Sequence, residues 1–154
     1  MSTGFETQDV SWNINYKIHL GETWGRFMAG LQDGKLMATS CDRCAKVFVP
    51  PQSYCETCFE PATTWLEVPA TGTLTSLTIS YHEFLGSPAA PYALGAIQLD
   101  GADTMLIHFL GGADLTSPDS AAETLRIGDR FTAVWKEQRR GHILDIEHFV
   151  REAP

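Results

Sequence analysis

The sequence has no uninterrupted apolar run long enough to span a bilayer, so no membrane-embedded class is expected. It is poor in positive charge: eleven Lys and Arg face nineteen Asp and Glu in 154 residues, a formal net charge of -8. Such a balance repels a polyphosphate backbone and argues against general nucleic-acid binding. The N-terminus, MSTGFETQDVSW, lacks the basic start and apolar stretch of a secretory signal, which points to a reducing cytoplasm. Catalytic signatures are missing too, with no G-x-S-x-G, Walker loop, G-x-G-x-x-G or H-E-x-x-H. No internal repeat or low-complexity segment breaks the chain, whose length suits one domain or one small domain with a satellite.

Cysteine is scarce, but all four residues fall within one short stretch. Cys41 and Cys44 form one Cys-x2-Cys pair, and Cys55 and Cys58 form a second after ten intervening residues. Each such turn presents two sulfurs to one face, and a hairpin between the turns brings the pairs together around a tetrahedral metal. A closed set of four thiolates leaves no position for water or substrate, so one structural Zn2+ per chain is expected, with iron as the alternative that spacing does not exclude. Cytosolic disulfides and a redox dithiol are weaker readings, given the missing secretory signal and the duplicated motif. Residues 41–64 hold too little apolar material for a core of their own and need such a staple. The residues after the second cysteine of each pair are Ala45 and Phe59 rather than glycine, which predicts distorted turns or a less firmly held metal.

The rest of the chain divides by its periodicity. From Ile18 to Leu36 the residues Leu20, Trp24, Phe27, Met28 and Leu31 recur at helical spacing, and Gly34 reads as the stop. Glycines at 21, 25 and 30 make this helix dependent on packing, with close backbone approach at the small residues. After Trp65 the pattern turns to strands: TGTLTSLTISYHEF, PYALGAIQLD, TMLIHFL, DRFTAVWKE and HILDIEHFV, with a short helical stretch near Ala121 to Leu125. Five or six short strands suit a small closed antiparallel barrel.

Outside the cysteines, polar candidates are few. His82, beside Glu83, is the most plausible polar contact among the histidines, while His108 and His148 read as satisfied or surface residues within strands. Arg139 and Arg140, with Lys136 nearby, form a cationic hairpin tip able to reach a phosphate. Tyr81, Phe84, Tyr92, Phe109, Phe131 and Trp135 read as core rather than as base-stacking residues.

Several features in order are the helix, the phrase Phe27-x2-Gly30-Leu31-x2-Gly34-Lys35-Leu36, both cysteine pairs, Trp65-Leu66-Glu67-Val68, Gly72-Thr73 and Ile127-Gly128 before a strand. Together they resemble the zinc-ribbon plus OB-fold family called DUF35, over roughly residues 20–150. The resemblance implies a mainly β chain: an N-terminal extension and docking helix over 1–36, a rubredoxin-like zinc ribbon over 37–64 and an OB-fold over 65–154. It also implies a non-catalytic accessory subunit of a heteromeric thiolase-superfamily enzyme acting on acyl-CoA, with the catalytic groups on the partner. On that reading Leu20, Trp24, Phe27, Met28 and Leu31 dock on the partner, and Arg139 and Arg140 are the candidate CoA contacts. Two other classes remain: a single-stranded nucleic-acid-binding ribbon and barrel module, and a free-standing acyl-CoA thioesterase.

Overall fold

The computed structural model describes residue 14, residues 16–84 and residues 86–153. Most of the extension expected over residues 1–17 therefore lies outside the described residues, as does Leu85.

Helix α1 spans Gly21–Gln32 and buries Phe27, Gly30 and Leu31 on one side, following the apolar spacing. Gly30 is where the helix comes close to the next strand: a Cβ there would sit 2.6 Å from Cγ of Met37. The helix stops as the sequence indicates. Gly34 has φ +74°, and the Gly34 and Lys35 N–H groups turn back to the carbonyls of Leu31 and Gly30 at 3.0 and 2.8 Å.

A three-stranded sheet follows, β1 (Leu36–Ser40), β2 (Val47–Phe48) and β3 (Thr64–Val68), in the order β2-β1-β3. Strand β3 crosses residues 64 and 65, pairing with β1 of the ribbon while leading into the barrel. The barrel comprises β4 (Thr71–Ser80), β5 (Tyr92–Leu99), β6 (Met105–Gly111), β7 (Arg130–Trp135) and β8 (Ile146–Arg151), closed in the order β4-β5-β6-β8-β7. Helix α2 (Pro118–Thr124) bridges β6 and β7; Ser117 caps it by accepting the Ser120 N–H at 3.1 Å, with proline in the first turn.

The barrel differs from the expected all-antiparallel form at one seam, where β6 and β8 run parallel. Parity requires it: five strands in a ring cannot alternate direction all the way round, so one neighbouring pair must match. A second difference lies in β4. Simple alternation places Leu74 opposite Leu77 and Ile79, but the register slips by one between Leu74 and Ser76. This bulge turns Leu74, Leu77 and Ile79 toward the same interior, where Leu74 is fully buried.

Leu74, Ile97, Leu99, Phe131, Ile146 and Phe149 fill the barrel, and the same core continues through Val68, Leu36 and Val49 to Phe27 and Leu31 of α1. Ribbon and barrel are also joined by hydrogen bonds. The Val47 N–H donates to Asp103 Oδ2 at 2.8 Å, the Asp103 N–H donates to the Val47 carbonyl at 2.9 Å, and Thr104 Oγ1 both accepts from and donates to Val49. Among the aromatic residues expected in the core, Phe131 is fully buried and Trp135 packs at its edge. Tyr81 and Phe84 are exposed, while Tyr92 and Phe109 form an edge-to-face pair on the outer surface. Tyr81 and Phe84 fall beyond the end of β4, where no strand turns them inward, and Tyr92 and Phe109 take the outward phase of β5 and β6.

Candidate metal centre and its surroundings

The two Cys-x2-Cys turns are built alike. In the first, the Cys41 N–H donates to the Lys46 carbonyl and the Ala45 N–H to the Cys41 carbonyl, each at 2.9 Å. In the second, Cys55 pairs with Glu60 and Phe59 with Cys55 in the same way and at the same distances. Closing these turns requires left-handed backbone at the residue after the second cysteine. Ala45 and Phe59 supply it at φ 60° and 55°. The turns are therefore regular rather than distorted, and the missing glycines appear as local backbone strain of about 1–2 kcal/mol at each position.

The four sulfurs lie within 4.8 Å of one another, with Cys44 and Cys55 3.7 Å apart. Tetrahedral coordination with metal–sulfur bonds of about 2.3 Å places sulfurs about 3.8 Å apart, so the four cysteines fit a metal of that size. Cys41 and Cys55 are buried, Cys58 is half-buried and Cys44 is exposed. Backbone N–H groups of Arg43 and Cys58 approach the sulfurs of Cys41 and Cys55 at 3.4 Å. The Cys58 N–H, opposed by burial, brings the Cys55 thiol down to about 7. Cys58 is instead pushed up to about 12 by its contact with Cys44, by burial and by Cys55. Four crowded sulfurs cannot all carry charge unaided, and a dication among them removes that conflict.

The surroundings hold the turns in register. Asp42 accepts from Thr63 and Thr64 hydroxyls at 2.7 and 3.0 Å, tying the first turn to the strand that leaves the second; these bonds, the side-chain ones foremost, hold its carboxyl below the usual range. Lys46 meets Glu56 at 2.6 Å and Arg43 meets Glu60 at 3.7 Å across the two turns. Both pairs are exposed and add little to stability by themselves.

The candidate docking residues divide into two sets. Phe27 and Leu31 are completely buried in the chain's own core, which corrects the expectation that they meet a partner: the ribbon and barrel already cover that side of α1. Trp24 and Leu20 are 43% and 42% exposed, and Met28 is half-buried. Trp24 and Met28 join Pro50, Met105, Ile107 and Ile143 around an apolar groove of about 350 Å3 that spans helix, ribbon and barrel. On the barrel this surface continues over the outer face of β5 and β6 through Leu94, Ala96 and Phe109, and no Lys or Arg stands in either strand.

Arg139 is likewise corrected as a CoA contact. Its Nε donates to the Gln32 carbonyl at 3.0 Å and its Nη1 to the Lys136 carbonyl at 2.9 Å, so the guanidinium caps the C-terminus of α1 and fastens it to the barrel. Arg140 is exposed and lines a second groove with Lys136, Gln138, His142, Leu144 and Asp145. His82 is exposed, and the hydrogen bonds described there join Ser80 Oγ to its backbone. His108 is 4% exposed, with Nε2 3.1 Å from the Ile143 carbonyl and Nδ1 buried without a partner among the described residues. Sequence periodicity alone could not single out Asp145, which closes a capping box with His142 before β8.

Two family models match the chain in tandem: the ChsH2 rubredoxin-like zinc ribbon domain over residues 28–64 and the ChsH2 C-terminal OB-fold domain over residues 65–136. No curated protein matches it in sequence. A solved DUF35-family protein of unknown function from Sulfolobus solfataricus is similar at a TM-score of 0.58 and 24% identity, over 74% of this chain and 78% of that one. The solved Ltp2-ChsH2(DUF35) aldolase is similar at a TM-score of 0.58 and 20% identity, over 82% of this chain and 88% of that one. At these identities the likeness to both structures is one of fold.

Proposed function

We propose that this chain, which belongs to the ChsH2-type DUF35 family of zinc-ribbon plus OB-fold proteins, is the non-catalytic accessory subunit of a thiolase-like enzyme acting on acyl-CoA. The observation that carries the reading is the uncovered apolar face. Trp24, Met105 and Ile107 are 43%, 51% and 68% exposed and come from different elements around one groove. A continuous patch of large apolar side chains is the signature of an interaction surface. The similar Ltp2-ChsH2(DUF35) aldolase, named for two components, supports a heteromeric partner. The four cysteines serve this role as a staple, and Zn2+ is the metal that best suits four thiolates in a closed tetrahedral site. The outer β5–β6 face offers no cation to a nucleic-acid backbone, which weighs against the single-strand-binding reading.

Catalytic chemistry then belongs to the partner, and this chain stabilises it and shapes one wall of the acyl-CoA pocket. The test is co-expression with a thiolase-superfamily protein of the same organism, followed by size exclusion. The two chains should co-elute, and Ile107→Asp, an exposed site, should separate them while the variant stays folded. A partner that is soluble and fully active alone, and never co-elutes with this chain, would overturn the reading.

A further inference from the structure

One wall of the apolar docking groove belongs to a single turn of 3-10 helix, Ile143–Asp145, whose first residue lines the groove beside Trp24, Met28 and Ile107. Side chains hold this short turn from three directions. Asp145, 4% exposed, accepts the N–H groups of Arg140, Gly141 and His142 on one oxygen at 3.0, 2.7 and 2.9 Å. His142 Nδ1 accepts the Leu144 N–H at 3.1 Å. From inside the barrel, His108 Nε2 meets the Ile143 carbonyl at 3.1 Å.

Two of these three holds need a neutral imidazole. A nitrogen that accepts keeps its lone pair, whereas the imidazolium carries N–H on both nitrogens, so a proton on His142 Nδ1 removes the acceptor for Leu144. His108 is the more exacting case. Leu106, His108 and Leu110 are the buried positions of β6, so this histidine stands where the strand elsewhere places leucine. Its Nδ1 has no partner among the described residues, and a buried polar atom left that way calls for a reason.

The surroundings offer a charged ring nothing. Phe109 and Phe149 meet it edge-on, and β5 places Gly95 opposite. The ionisable neighbours are His148 on β8 and Lys136 just past β7, both of which oppose a positive charge, and Asp145 on the turn is directed at the loop amides. Burial, foremost, keeps the His108 pKa below the ordinary histidine value. A proton would preserve the Nε2 bond but set an N–H on Nδ1 with no acceptor. The ring is then better solvated outside the barrel, and it leaves only by releasing Ile143.

We propose that His108 and His142 make the docking face acid-sensitive: proton uptake on these rings frees the Ile143–Asp145 turn, withdraws the Ile143 wall of the groove, and loosens an apolar partner protein that docks firmly at neutral pH. The response of the turn rests on its geometry, and the effect on docking rests on the subunit reading.

The test follows the metal-loaded full chain, alone and with its co-expressed partner, from pH 7.5 to 5.5. In the chain alone, the Leu144 amide and the Lys136 amide, which donates to the Asp145 carbonyl at 2.9 Å, should lose more hydrogen-exchange protection than amides of β5 and β6, after correction for intrinsic rates. Partner affinity should fall at least about threefold over that range, within the limit of about tenfold per pH unit for each proton taken up. His108→Gln and His142→Asn keep a hydrogen-bonding group without titrating, and together they should flatten both responses. Circular dichroism checks folding, and the exposed His142→Asn alone should reduce the response if His108→Gln does not fold. Turn amides that stay protected to pH 5.5, or that lose no more than β5 and β6, would overturn the proposal, as would an affinity slope unchanged in the variants. Absence of co-elution at neutral pH would instead sink the subunit reading and the docking half with it, leaving the exchange data to decide the turn.

Discussion

Between Cys41 and Ala62 the local core consists of Cys41, Phe48, Cys55 and Ala62, with Cys58 packed against it. The barrel instead encloses Leu74, Ile97, Leu99, Leu106, Phe131, Ile146 and Phe149, and shares that core with α1 and the base of the ribbon. Three of the five residues in the small cluster are the candidate metal ligands themselves. The cysteine turns thus depend on coordination for what apolar burial does in the barrel. The boundary between the two regimes lies within the ribbon: Leu36, Ala38, Val49 and Val68 belong to the barrel's core, and only the tips stand apart from it.

Metal removal breaks this comparison most strongly. Structural zinc in small ribbons contributes about 10–16 kcal/mol of apparent binding energy at neutral pH. Chelation, or Cys58→Ser, should therefore melt the two cysteine turns, residues 41–46 and 53–62, while β1, β3 and the barrel stay folded. Hydrogen exchange reads this directly, since amides of Cys41, Ala45, Cys55 and Phe59 should lose protection and those of β5 and β6 should keep it. Simultaneous loss of barrel protection would show that the tips support the whole fold.

The barrel has its own vulnerable point in His108, a buried ring whose pKa lies below the ordinary histidine value, chiefly through burial. Because the folded-state value is lowered, the unfolded chain takes up the proton first. The stability from the neutral ring is complete above about pH 6.5 and is lost as pH falls from there through the folded-state value. Protonation would also place a second N–H on the Nδ1 side, where the described residues offer no partner. The barrel's resistance to urea should thus fall as pH drops below about 6.5, and His108→Leu should flatten that slope. An unchanged slope in the variant would assign the pH dependence elsewhere.

The smallest effect concerns the strain in the tips. Phe59 is 83% exposed at φ 55°, so its side chain contributes little burial while its backbone is held in the left-handed region. Phe59→Gly should stabilise the metal-loaded protein by about 1 kcal/mol, measured as a higher denaturant midpoint with metal in excess. A lower midpoint would mean that the phenyl ring contributes contacts worth more than the strain.

The metal site was the most legible part of the chain, because four cysteines at fixed spacing constrain a local geometry whatever surrounds them. Helix α1 and the barrel strands were legible from period, although the direction of some side chains was not. The bulge after Leu74 and the outward phase of Tyr92 and Phe109 depend on strand pairing, and pairing partners such as Leu74 and Ile97 are distant in sequence. Helix α1 shows the same limit. Its apolar stripe reads as one face, yet Phe27 and Leu31 are spent inside the chain and only Leu20, Trp24 and Met28 remain toward the outside.

By itself, then, the sequence determined the thiolate cluster, the order of helix, ribbon and barrel, and the acid excess, since these follow from residue type, spacing and count. Tertiary structure decided which apolar residues face outward, which arginine caps a helix and which one lines a groove. Arg139 and Arg140 are neighbours of identical chemistry, and only the packing of the β7–β8 loop against the C-terminus of α1 gives them different work. Long-range contacts set those assignments, and no local pattern encodes them.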